Sequence, residues 1–125
     1  MCNTIYNNNK MFPHIDININ CKRTQYGWKV VHVSKSNINI LFPLIRNRIP
    51  FLLNKENIWD KEKNNEDGFC FFPIKEDAIK INKIFSINSI IKRVLCKDVL
   101  ATYKSNELCS GWLKVGICKK FKFVD

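Results

Sequence analysis

The chain has 125 residues, of which 46% are hydrophobic and 12% aromatic, and its formal net charge at pH 7 is +10. This length suits one hydrophobic core, and the apolar content excludes a mainly disordered chain. The longest apolar run is interrupted by Pro43, and the first 20 residues lack the basic and apolar segments of a secretory signal. We therefore expect a soluble, cytoplasmic protein with no membrane segment.

The cysteines argue against a metal site. Their spacing is wide and irregular, no C-x-x-C pair occurs, and His14 and His32 lie far from any cysteine pair. In a reducing cytosol such thiols stay free and pack as small apolar side chains. We expect six free thiols and neither a metal nor a cofactor. The cysteines are Cys2, Cys21, Cys70, Cys96, Cys109 and Cys118.

The positive charge favours an anionic partner, because clustered lysines attract phosphate backbones. Only four of the 21 basic residues are arginine, however, and the chain is rich in Asn, Ile and Lys. Compositional drift in an AT-rich genome is therefore an alternative source of the lysines. Residues 54–84 are close to neutral, whereas both flanking segments are basic.

The first half of the chain indicates strands. Residues 1–13 are rich in Asn and predict a loose tail, so the domain is expected to span 14–125. "HIDININ" alternates Ile with polar residues, which predicts a half-buried strand. "YGWKVVHVS" predicts a second strand, with Trp28 and Val30 on one face and Lys29 and Val31 on the other. "INILF" and residues 44–53 predict short, irregular strands.

Residues 54–67 are polar and predict a loop that Trp59 anchors to the body. A long loop of this kind in a compact domain is often functional. Trp59, Lys61 and Lys63 are therefore one candidate binding site. Gly68 ends the loop, and "FCFF" predicts a short buried strand.

A helix follows at about residues 74–85. Pro73 precedes it, Glu76 and Asp77 suit its positive end, and Ala78 and Ile81 lie on one apolar stripe. Strands are predicted over 89–97, 98–103 and 112–125, with a bulge or tight turn at the first junction. These elements predict a single α+β domain with a twisted, mainly antiparallel sheet and one principal amphipathic helix.

Catalytic chemistry has few candidates. Cys70 lies near the helix start, but the surrounding aromatic residues favour a core thiol. Acidic residues before and in the first helical turn are typical of helix ends and solvated surface. No glycine-rich phosphate loop occurs. The carboxylates in question are Glu62, Glu66, Asp67, Glu76 and Asp77.

Basic and aromatic residues alternate near the C-terminus. Lysines there flank Trp112, Phe121 and Phe123, which suits a sheet that stacks bases and follows phosphates. The same alternation also occurs in any amphipathic strand whose lysines protect a sheet edge. The candidate basic surface comprises Lys92, Arg93, Lys97, Lys114, Lys119, Lys120 and Lys122.

Four segments together resemble small uncharacterised proteins of phages and mobile elements: "YGWKVV", the loop around Trp59, "EDGFCFFPIKEDAIK" and "IIKRVLCKDVLA". The likeness covers residues 26–101 and implies an α+β fold and a viral origin. Such proteins often carry a histidine after the glycine–aromatic pair, where this chain has Cys70. The resemblance therefore implies no catalytic residue.

We predict a non-catalytic binding protein, of the kind that a phage encodes to inhibit a host defence or nucleic-acid-processing complex. Its expected partner is a host protein or ribonucleoprotein complex. Two alternatives stay open: direct binding of RNA or single-stranded DNA, and a small enzyme that uses the acidic loop or Cys70.

Overall fold

A seven-stranded sheet with one helix forms the body of the protein in a computed structural model. The structure describes residues 14–34, 36, 41–43, 50–60, 68–85, 88–106 and 108–124. The predicted α+β fold is confirmed, and the predicted tail at 1–13 lies outside the described residues. In chain order the elements are β1 (His14–Asn18), β2 (Gln25–Val33), β3 (Leu41–Pro43), β4 (Asn57–Ile58), β5 (Phe69–Phe71), α1 (Lys75–Ile84), β6 (Ser89–Ser105) and β7 (Leu113–Phe123).

Strands β6 and β7 form the centre of the sheet. The strand order is β3-β2-β6-β7-β4, with β1 added on β6 and β5 added on β7, and every pair is antiparallel. The first half of β6 pairs with β2, while its last residues pair with β1. Because β7 pairs with β6 from Leu113 to Phe123, the two strands form one long hairpin.

The sheet curls until β5 meets β2. The N–H of Phe72 donates to the carbonyl of Trp28 at 2.8 Å, and the N–H of Trp28 donates to that of Phe72 at 2.9 Å. The ring of Phe71 lies between Gly27 of β2 and Gly116 of β7, where a Cβ on either glycine would overlap it. Both positions therefore need glycine for the closure.

The curled sheet buries apolar side chains on both of its faces. Val30 and Val31, like Phe72 and Phe71, point into opposite clusters, as alternation along a strand requires. The helix-side cluster contains Val30, Phe72, Ala78, Ile81, Ala101, Tyr103, Leu113, Val115 and Ile117. The inner cluster contains Val31, Leu41, Phe71, Val94, Cys96, Val99, Cys118, Phe121 and Phe123.

Helix α1 closes the helix-side cluster. It begins two residues after Pro73, within one residue of the predicted start, and it buries Ala78 and Ile81. Asp77 is also buried, and its Oδ2 accepts a hydrogen bond from the N–H of Lys114 at 3.0 Å. The carboxylate of Asp77, in the first turn of α1, thus links the helix to β7. No helix in the described part of the chain is long and apolar enough to span a membrane.

Two sequence predictions need correction. The alternating isoleucines of β1 and the residue after it are not half-buried, since Ile15, Ile17 and Ile19 are 41%, 39% and 60% exposed. Among the described strands, β1 pairs with the end of β6 alone, and its register is irregular, with Asp16 at a φ of 56°. Alternation there does not correspond to a buried face.

The second correction concerns the loop at 54–67, because Asn57–Ile58 forms strand β4 on β7. The amide of the buried Asn57 accepts from the N–H of Leu52 at 2.8 Å and donates to its carbonyl at 3.0 Å. Because Asn57 is polar, the hydropathy of the sequence does not indicate that it is buried. By contrast, the irregularity expected at 97–98 lies within one continuous strand: Asp98 has a φ of 51°, and the register with β7 shifts between Val99 and Ala101.

Candidate binding surface

The pairing of β6 with β7 brings four cationic side chains to one side of the hairpin. Lys97 lies directly opposite Lys120, and Leu95 lies opposite Lys122. Alternation along β6 places Arg93 on the same side as Leu95 and Lys97. Arg93, Lys97 and Lys122 are exposed and Lys120 is partly exposed, so this side faces solvent.

Strand β2 extends this surface with an aromatic ring. Tyr26 lies opposite Leu95 and Trp28 lies opposite Arg93. The Tyr26 side chain is 52% exposed, and the guanidinium carbon of Arg93 lies 4.5 Å from its ring centroid. This is the distance of a cation–π contact. We call Tyr26, Arg93, Leu95, Lys97, Lys120 and Lys122 the basic strand face.

Two carboxylates lie at the edge of the basic strand face. The Nζ of Lys97 is 3.5 Å from Glu56, and the Nζ of Lys120 is 3.6 Å from Asp98. Both pairs are partly exposed, so each contributes little stability. Among the described residues, Arg93 and Lys122 form no ion pair, and the surface keeps a net positive charge.

The three other residues of the predicted basic surface lie elsewhere. Lys92 is opposite Lys29. Because it is the neighbour of Arg93 in β6, its side chain lies on the other side of the sheet. Lys114 is opposite Lys104 at the far end of the hairpin, beside α1. Lys119 is half-buried, and its carbonyl accepts a hydrogen bond from the N–H of Trp59 at 2.8 Å.

The predicted loop site is described only in part. The ring of Trp59 packs edge-on against Phe69, with 5.0 Å between centroids, so Trp59 anchors its segment to the sheet as predicted. Lys61 and Lys63 lie outside the described residues. So do Glu62, Glu66 and Asp67, the carboxylates that precede Gly68.

Lys29 is the feature that sequence reasoning missed most clearly. It is only 8% exposed, and its Nζ donates to the carbonyl of Cys70 at 2.6 Å. The same Nζ lies 4.9, 5.1 and 5.9 Å from the ring centroids of Phe121, Phe51 and Phe69. These rings come from three distant segments, so the only sequence signal was that Lys29 shares a face with Val31.

Five cysteines belong to the part of the chain that the structure describes. Cys70 is disulfide-bonded, so the prediction of six free thiols is wrong there, whereas the four other described cysteines are free. The hydrogen bond that the Cys96 thiol donates to Cys118, burial and the nearby Cys118 charge raise the pKa of Cys96 far above its usual range, and Lys29 lowers it only in part. Cys96 therefore stays protonated at neutral pH.

The described residues contain no group of three or more His, Cys, Asp or Glu side chains that could hold a metal ion. The buried carboxylate of Asp77 accepts its hydrogen bond from a backbone N–H and thus has a structural role.

Comparison with known proteins adds no family to this description. No protein-family model matches the chain, and neither the curated proteins nor the solved structures contain a match.

Proposed function

We propose that the protein is a non-catalytic binding protein whose basic strand face docks on a polyanionic partner. The observation that supports this proposal most directly is the register of the central hairpin. It sets Lys97 opposite Lys120 and adds Arg93 and Lys122 on the same exposed side.

The arrangement has an energetic cost that binding would relieve. Like charges directly opposite on neighbouring strands destabilise a sheet. Glu56 and Asp98 offset part of this repulsion between Lys97 and Lys120. A phosphate-rich partner would neutralise the remaining charge and release its own counterions.

The partner we propose is a nucleic acid or a host ribonucleoprotein complex, met in the cytoplasm. Free thiols at Cys96 and Cys118 suit a reducing compartment, whereas the disulfide at Cys70 suits an oxidising one.

A phage origin and an inhibitory role stay predictions, because no comparison bears on them. The enzyme alternative loses the Cys70 thiol as a nucleophile.

The proposal is tested by the salt concentration at which the protein elutes from immobilised heparin, a polyanion without bases. The double variant Lys120→Glu/Lys122→Glu should elute at much lower salt than the unaltered protein. The matched control Lys75→Glu/Lys83→Glu makes the same change in net charge on α1 and should shift elution less. Equal shifts for both variants would contradict a localised surface.

Co-purification from host lysate, with and without nuclease, then distinguishes the partner classes. A defined protein that remains after nuclease treatment and is lost in Lys120→Glu/Lys122→Glu indicates a protein partner. Recovery that disappears with nuclease indicates nucleic acid.

A further inference from the structure

We infer that the ligand of the basic strand face is a single-stranded nucleic acid, one of whose bases stacks on the Tyr26–Arg93 pair. This inference rests on the proposed function and specifies its ligand class. It comes from the placement of an aromatic ring within the cationic surface.

The ring of Tyr26 is half exposed near the start of β2. Tyr26 lies opposite Leu95 of β6, whereas β3 pairs with Val31–Val33 at the other end of β2, so among the described strands Tyr26 has a neighbour on one side. The guanidinium carbon of Arg93 lies over this ring. Unpaired bases commonly stack on aromatic rings and guanidinium groups of proteins.

The lysines are placed where they can contact the phosphates of a nucleic-acid strand that has one base stacked on Tyr26. Tyr26, Leu95 and Lys122 form one row across β2, β6 and β7. Two strand spacings separate Tyr26 from Lys122, which is about 10 Å. Lys97 and Lys120 form the next row, two residues further along the hairpin. A strand whose base covers Tyr26 would therefore bring its phosphates over lysines in both rows.

The arrangement discriminates between single strands and duplexes. In a duplex the base faces are stacked on one another, so the protein can contact phosphates, sugars and base edges but no free base face. In a single strand each base has a free π-face, and stacking on a protein ring is largely independent of sequence. We therefore expect preference for single strands with weak sequence selectivity.

The experiment measures Kd by fluorescence anisotropy for three labelled probes of equal length: a mixed-sequence single strand, its duplex, and an abasic phosphodiester oligomer. Tyr26→Ala should weaken binding of the single strand by about 5- to 150-fold, the range that loss of one base–aromatic stack implies. It should change binding of the duplex and the abasic oligomer less than twofold. Tyr26→Phe should retain binding, since the ring remains.

Two further variants separate stacking from charge and from general surface effects. Lys120→Glu/Lys122→Glu should weaken binding of all three probes and reduce the salt slope for the single strand by about 1.4. Trp112→Ala removes another exposed aromatic side chain, 45% accessible and next to β7, and should change nothing. Thermal melts confirm that each variant folds.

Each outcome is decisive. Equal affinity for the single strand and the abasic oligomer, or no effect of Tyr26→Ala, would overturn base stacking while leaving a polyanion surface intact. Failure of all three probes to bind, together with unchanged heparin elution of the lysine variant, would overturn both proposals. Loss of single-strand binding in Tyr26→Ala alone, with Tyr26→Phe unaffected, would support the inference.

Discussion

The two ends of the β6–β7 hairpin have opposite surroundings, although the same two strands build them. At the end around Tyr103 and Val115, helix α1 covers the hairpin and the outward side chains are apolar and buried. At the end around Lys97 and Lys120, no described element covers it and the outward side chains are cationic. We call these the covered end and the open end.

If the open end is the binding surface that we propose, one hairpin carries folding and binding at separate ends. Apolar burial and close packing stabilise the covered end and the curl next to it. The open end contributes little to stability, because its ion pairs are exposed and its lysines oppose each other. Substitutions should therefore affect stability and binding separately, according to the end they change.

The largest effect on stability is expected at the curl. Gly116→Ala would place a Cβ in steric overlap with the ring of Phe71, which also lies against Gly27 of β2. Overpacking of this kind should cost about 3 kcal/mol or abolish folding. Urea denaturation measures the change, and Gly111→Ala is the matched control because nothing lies within 4 Å of its added Cβ. Equal effects of the two substitutions would contradict the closure.

A smaller loss is expected where the helix meets the covered end. Asp77→Ala removes the acceptor for the Lys114 N–H and should lower the free energy of unfolding by about 1.5–3 kcal/mol. Glu76→Ala, in the same turn but exposed, should cost about 0.5 kcal/mol through the helix dipole alone. Thermal melts of the two variants should differ clearly, and similar melts would remove the role assigned to Asp77.

The inner cluster gives a pH dependence of defined sign. The pKa of Cys96 is raised in the folded protein, from an ordinary value near 9.0. Above that pH the unfolded chain releases a proton that the folded chain retains, so stability falls as pH rises, by up to about 1.4 kcal/mol per unit. Below it this contribution is fully present.

Denaturation of Cys96→Ala across pH 8–11 supplies the control for that slope. Its absolute stability will be lower because of the cavity, but its decline with pH should be shallower than in the unaltered protein. Parallel declines would show that Cys96 titrates normally.

The smallest effect on stability is expected at the open end. Lys122→Ala removes an exposed side chain without an ion pair among the described residues, and should change the free energy of unfolding by less than about 0.5 kcal/mol. Its affinity for a single-stranded oligonucleotide should nevertheless fall. A loss of stability comparable to that of Asp77→Ala would show that the open end takes part in folding.

Local patterns were sufficient to predict much of the fold. Pro73, the acidic first turn and the Ala78–Ile81 spacing predicted α1 to within a residue at each end. Alternation in "GWKVV" assigned Val30 and Val31 to the correct opposite faces. These signals come from residues close together in the chain, so they need no knowledge of the tertiary structure.

The surface could be predicted only in part, since it depends on strand register. Composition and alternation selected seven basic residues, but only pairing separates Lys97 and Lys120 from Lys92 and Lys114. Tyr26 was missed because its exposure depends on which end α1 covers.

The surroundings of Lys29 likewise depend on distant segments. Three phenylalanine rings brought together by the curl surround its ammonium group. No local pattern in the sequence records such a contact.

The most direct test of the open end as the binding surface is an NMR titration of the ¹⁵N-labelled protein with a single-stranded oligonucleotide. We expect amide shift changes concentrated at Tyr26, in residues 93–97 and in residues 120–123, with α1 unaffected. Changes concentrated on α1 or on Trp112, or no changes at all, would contradict the account.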